Sequence, residues 1–265
     1  MAVVALPFPS KNVRVAVLLA VLVGVGSWGI RKRQAVGLRR SWIAQLPVAV
    51  VLVSKKPVPR VTVEAWRRGL ESLEAFGEAE IARHRGPMHL PPISYRLTDP
   101  VVSEPPPLPG PEAVGVTDRA SAALAFENAA KEIDAKAGVT AADAIVIDVL
   151  LGEGESAPVE GLAEREGRRG VVQSSAGETE LGLELVATLH EVLHCVGAID
   201  KYDPEGHALV PDGLAEPDKS PLYPQEFGEV MVGEVPVGEK KGRPIRSLAE
   251  ARVGPVTARE IGWSR

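Results

Sequence analysis

Residues 15–30 (VAVLLAVLVGVGSWGI) carry no charge, and basic residues flank them: Lys11 and Arg14 before, Arg31, Lys32 and Arg33 after. A membrane-crossing helix needs about 20 apolar residues, range about 17–25. The run reaches that length when Val13 is counted and Arg14 snorkels towards the headgroups, and Trp28 stands where an interfacial aromatic belongs. An uncleaved anchor is the leading reading. The alternative is a cleaved signal peptide, with residues 15–25 as its apolar core and Gly24 and Gly26 as a small-x-small site. Beyond it, residues 34–46 read as a basic linker.

The pattern then changes period. Residues 47–53 (PVAVVLV) form a continuous β-branched run closed by Ser54-Lys55-Lys56-Pro57, the mark of a strand buried on both faces. Over residues 62–76, Val63, Trp66, Leu70 and Leu73 recur at helical spacing and Gly77 is read as the stop. A second strand is expected at ISYRLT (93–98). The proline-rich stretch 99–111 is read as a surface loop in neither regular element. A helix runs from Thr117 or Asp118 to Ala137, stopped by Gly138. Residues 144–151 give the clearest buried strand, and residues 170–175 a short edge strand. A helix spans 179–196 and ends at Gly197, the stretch to Gly254 reads mostly as loop, and a closing helix covers 257–263. Strands alternating with helices describe one α/β domain over residues 47–265, preceded by a tail and anchor over 1–33.

Composition narrows the options without choosing among them. Net charge is −5 and aromatics make up 4% of the chain, so no electrostatic footprint for nucleic acid is present. A single cysteine, Cys195, excludes an internal disulfide framework. Next to His194 it points about 100° away around the helix, and reads as a small buried apolar residue. The basic residues after residue 30 favour a cytoplasmic side for the bulk of the chain.

The chemistry is concentrated in HEVLH. His190 and His194, four apart on a helix, present two imidazoles to one ion, and Glu191 leans over the side of the same site as a base rather than a ligand. A catalytic zinc site takes a third protein ligand and leaves one position open. Gly197 can reverse the chain and bring Asp200 back towards the histidines. His207 is the main alternative third ligand, with Asp203, Glu205 and Glu216 also in range. Pro217 and Pro211-Asp212-Gly213 argue against a second helix carrying Glu216. The acidic run from Asp200 to Asp218 reads as a solvated loop rather than a calcium site.

The stretch from His190 to Asp200 (HEVLHCVGAID) resembles the HExxHxxGxx(H/D) signature of metzincin zinc peptidases, with Asp200 similar to the snapalysin-type variant. The resemblance implies an α+β zincin-like fold, a twisted mixed sheet packed on two long helices with the first two ligands on the active-site helix. It also implies a methionine turn, for which Met231 between Gly228 and Gly233 is suitably placed, and a closing C-terminal helix. Gly233 stands where some relatives place a tyrosine that assists the transition state, and Tyr202 or Tyr223 could substitute. An extracytoplasmic site is implied, against the flanking charges.

The expected function is therefore a membrane-tethered zinc metallopeptidase, most simply an endopeptidase, cutting peptide or protein substrates with a metal-activated water and Glu191 as general base. The Asp200 ligand lowers the formal charge of the centre and so implies a more alkaline optimum than an Asp200→His variant. A non-catalytic zincin-like binding domain with a structural metal is the competing reading. No long propeptide separates the anchor from the first strand, so latency through a prodomain is not expected.

Overall fold

A computed structural model describes residues 10–106, 108, 116–152, 159–175 and 181–264. The expected helix start at Thr179 and positions 107 and 109–111 of the proline-rich stretch lie outside the described residues, as does the side chain of Trp28.

The first helix, α1 (Lys11–Ser41), is 31 residues long and apolar enough to cross a membrane. It does not end with the apolar run. The stretch expected to be a linker is helical as far as Ser41, because its last turns have partners. Val36 is buried, and Arg39 and Arg40 donate to backbone carbonyls of the main domain.

That domain is a mixed α/β unit. In chain order come β1 (Leu46–Ser54), α2 (Arg60–Arg85), β2 (Ile93–Leu97), β3 (Val101–Val102), α3 (Val116–Ala137), β4 (Ile145–Gly152), β5 (Glu160–Ala163), β6 (Arg169–Ser175) and α4 (Leu181–Val196). The sheet order is β2-β1-β4-β6-β5, with β3 continuing beside the end of β1. β1, β2, β3, β4 and β6 pair in parallel; β5 runs antiparallel to β6. Strands covered on both faces need apolar residues at successive positions. In β1, Val48, Val50 and Leu52 pack towards α2 and α4, while Val51 and Val53 pack towards α3. Ile145, Ile147 and Val149 of β4 join the first layer, and Val146 and Leu150 the second.

Several expectations are corrected. The α2 helix runs through Gly77 to Arg85, because the buried series Trp66, Leu70, Leu73 continues to Glu80 and Ile81, and tertiary burial outweighs the cost of one helical glycine, about 1 kcal/mol. β6 is not an edge strand but lies between β4 and β5; the edge belongs to β5, whose sequence EGLA has too little hydrophobic pattern to announce it. Val101–Val102 of the proline-rich stretch does pair, as β3. The segment after α4 contains β7 (Gly228–Glu229), a hairpin of β8 (Glu234–Gly238) and β9 (Lys241–Pro244), and β10 (Ala251–Arg252) beside β7. The closing helix, α5, spans Pro255–Glu260; Trp263 lies beyond it, fully buried against Trp42 with ring centroids 5.6 Å apart.

Candidate metal centre

The α4 helix is amphipathic in an unusual sense: nearly all of it is buried. Leu185, Leu189, Val192 and Val196 join the core under the sheet, which fixes the rotation of the helix and turns His190 and His194 together towards one cleft. Their rings lie 4.6 Å apart, centroid to centroid, at 78°. The Nδ1 of His190 is 3.0 Å from the carbonyl oxygen of Val230, and the Nδ1 of His194 is 3.0 Å from that of Ala198. A carbonyl oxygen only accepts, so each Nδ1 carries the proton and, in the neutral ring, each Nε2 holds a lone pair.

Both Nε2 atoms meet the same oxygen. The Oδ1 of Asp200 is 3.1 Å from the Nε2 of His190 and 3.1 Å from that of His194. Three lone-pair atoms this close repel one another unless a proton or a metal cation lies between them. Two ligand atoms on one zinc ion, each at about 2.0–2.1 Å in tetrahedral array, stand about 3.3 Å apart. Such a donor set and spacing would accommodate a divalent metal ion, and His190, Glu191 and His194 also lie close enough together to hold one.

The chain reaches this arrangement through Gly197, whose φ of +117° reverses the backbone after α4. What then holds Asp200 is polar. The carboxylate of Glu260, at the end of α5, accepts from the backbone N–H of Ile199 at 3.2 Å and from Lys201 Nζ at 2.7 Å. Lys201 is buried and donates also to the Ile199 carbonyl, and its own N–H donates to the carbonyl of Met231. Met231 is fully buried in a tight turn closed by bonds from Val232 and Gly233 to the Glu229 carbonyl. The buried carboxylate of Glu229 accepts from the N–H groups of Met231 and Gly254, and burial pushes it above the usual carboxylate range. Glu229, Lys201 and Glu260 escaped the sequence reading, since isolated charges in a loop-like stretch give no sign that they are buried.

Electrostatics separate the two acids of the site. Burial opposes ionisation of Asp200, but where the imidazoles are protonated they donate to it through Nε2 and hold its carboxyl well below the ordinary range. Burial dominates for Glu191 and raises its pKa, against the lowering influence of the two histidines. Its Oε1 is 4.0 Å from the Nε2 of His190, and its Oε2 is buried with no hydrogen-bond partner among the described residues. Room for this carboxylate depends on Gly161 of β5, where a Cβ would come within 2.0 Å of Oε1.

The cleft above the cluster encloses about 340 Å³, with β5 as one wall and the segment from Ala198 to Tyr202 as the other. Tyr202 lines the cleft beside Asp200, and burial together with that carboxylate raises its pKa; Tyr223 does not line the cleft. The alternative ligands are elsewhere. His207 faces Glu234, at 3.7 Å, and Asp203 accepts from the N–H groups of Glu205 and His207 in a tight turn. Glu216 accepts from the N–H of Glu226. The Cys195 thiol is buried and pushed up to about 12 by desolvation. A roomier cavity of about 500 Å³ lies between α3 and β6, but there Arg169 is already paired with Asp134 and Asp148.

No family model matches the chain, and no curated protein matches it. Among solved structures, one described as "Structure of a chaperone-substrate complex" aligns with 83% of this chain at 14% identity and a TM-score of 0.31. The alignment covers 36% of that chain, so this protein spans about a third of its length.

Proposed function

We propose that the chain is a zinc-dependent metallopeptidase, tethered to a membrane through α1. The observation that carries the reading is the meeting of both Nε2 atoms with one Asp200 oxygen, each at 3.1 Å, beside a buried carboxylate that is not part of the trio. Met231 in a buried turn and the closing helix α5 are features that the resemblance led one to look for, within a mixed α/β fold.

His190, His194 and Asp200 would hold the ion. Zinc, when bound, supplies Lewis acidity that makes water nucleophilic near neutral pH and polarises a carbonyl. Glu191 would serve as general base and then as acid towards the leaving nitrogen. The carbonyls of Val230 and Ala198 fix the imidazole tautomers. Among the described residues β5 pairs only with β6, so its other edge can take an extended peptide as an added strand. Tyr202 brings a hydroxyl donor to the opposite wall.

The test is peptide hydrolysis by the wild type and by Glu191→Gln, with zinc content measured in both. The expected result is one zinc per chain in each and a loss of at least about 10²-fold in the variant, the lower end of what general acid–base catalysis supplies. Equal activity in the two, or wild type without stoichiometric zinc, would overturn the proposal; bound zinc with no hydrolysis by either would favour the structural-metal alternative.

A further inference from the structure

The apolar part of α1 is bare: Leu18, Leu22 and Val23 are 68%, 67% and 66% exposed, and no described side chain of the stretch is buried in the protein. Two residues beyond Ile30 the same helix meets the segment that follows β5. Lys32 pairs with Glu164 at 3.1 Å; Glu164 itself faces the cavity beside α3, and its neighbours Ala163 and Arg165 line the cleft. Further along, Arg40 pairs with Glu166 at 2.8 Å, and Arg39 donates to Gly167. Arg39 and Arg40 also take the carbonyls of Cys195 and Val196, at 2.8 and 2.6 Å, which close the helix bearing His190 and His194. Trp42 seals the junction by donating to the Ile261 carbonyl at 2.7 Å.

The distances along α1 follow from a rise of about 1.5 Å per residue. Lys32 is about 3 Å beyond Ile30, and Arg39 about 14 Å. The headgroup layer outside the hydrocarbon is about 5–8 Å deep on each side. With residues 15–30 in the bilayer, Glu164 is therefore at headgroup level and the end of α4 just above it. An anchor on a flexible linker would let the cleft sample many heights. Here the anchor and the active-site helix share hydrogen bonds, so the height is set.

We infer that the cleft acts on polypeptide segments within a few residues of the membrane surface, such as the juxtamembrane stretch of a single-span protein, with α1 as the ruler. This rests on the proposed hydrolase activity and on α1 remaining attached. The full chain in phosphatidylcholine vesicles provides the test. A fluorophore on Leu162→Cys, on the cleft wall, is expected to be quenched by headgroup-nitroxide lipid at least threefold more than one on Val102→Cys, which is 51% exposed at the far end of β1; Cys195 is buried and does not compete for label. In parallel, one cleavable sequence is presented as a soluble peptide, three residues from a synthetic span, and twenty residues from it. The proximal site should be cut at least tenfold faster than the distal one. Equal quenching at 162 and 102, equal cutting at the two spacings, or a mature chain beginning beyond Gly26 would overturn the inference. If zinc is bound but none of the three is cut, the hydrolase reading fails and the substrate assignment with it, while the quenching ratio still decides where the cleft lies.

Discussion

The cluster of His190, His194 and Asp200 is assembled from two regions that are held in opposite ways. α4 delivers His190 and His194 and is fixed by apolar burial: Leu189, Val192, Leu193 and Val196 are each fully inaccessible. The segment after Gly197 delivers Asp200, and its fixings are polar. Buried Lys201, next in the chain, and the Glu260 carboxylate, sixty residues downstream, bracket the aspartate, and the Met231 turn is pinned by buried Glu229. A helix spends its backbone hydrogen bonds internally, so side-chain burial alone can orient it. An irregular segment has backbone groups to satisfy, and buried side-chain partners do that here.

The largest effect expected from this division is at the ligand itself. Asp200→Ala should weaken zinc binding by more than about a hundredfold, since even outer partners of metal ligands are worth about 10–100-fold. His207→Ala should leave it within about twofold. Competition with a chromophoric chelator measures both. A reversal of the two would transfer the third-ligand role to His207 and dissolve the comparison.

Next comes the bracket. Glu260→Ala removes the acceptor for both the Ile199 N–H and the Lys201 ammonium. A loss of zinc affinity of about 10–100-fold is expected, with the helix content of the folded protein unchanged. Adding Lys201→Met to remove the stranded buried charge should recover stability but not affinity, because the Ile199 N–H stays unpaired. Recovery of both would show that Glu260 acts only through stability.

Third is the wall over Glu191. Gly161→Ala places a methyl within 2.0 Å of the present Oε1 position, so the carboxylate must move. Hydrolysis should fall by about tenfold or more, given how steeply catalysis depends on placement, with zinc affinity held within about threefold. A parallel loss of zinc would mean that the strand supports the metal rather than the base.

This contrast also explains what could be read in the chain. Buried strands and amphipathic helices advertise themselves by period, so β1, β4, α2 and α4 were legible, as was the HExxH pair that α4 carries. Position was harder than type. Gly77 looked like a stop because local propensity cannot see that Glu80 and Ile81 are buried beyond it. The true edge strand β5 is four residues long with one large apolar side chain, and its identity comes from pairing with β6. Gly197 and Asp200 were readable from spacing and family resemblance, but the charges that hold the reversal were not. Lys201, Glu229 and Glu260 are single polar residues whose roles depend on contacts up to 61 residues apart. The linker failed for the same reason: Arg39 and Arg40 look like solvated basic residues until the carbonyls at the end of α4 are beside them.

The smallest expected effect tests whether polar links matter equally in the sheet. Asp143, just before β4, accepts from Arg96 of β2 at 2.7 Å and from the Thr140 N–H at 2.8 Å. Burial opposes its ionisation, but these partners prevail and its carboxyl lies below the ordinary value. A carboxyl depressed in the folded state favours folding above its unfolded pKa, near 3.9, and that contribution disappears as pH falls through the lower folded value. Asp143→Asn should therefore cost about 1 kcal/mol at pH 7, the worth of an ordinary hydrogen bond. Denaturant titrations of variant and wild type should converge as pH drops below about 4. The site is remote from the cleft, so zinc affinity should not move. A loss several times larger, undiminished in acid, would mean that the sheet too depends on its polar links, and the difference between the two regions would be one of degree.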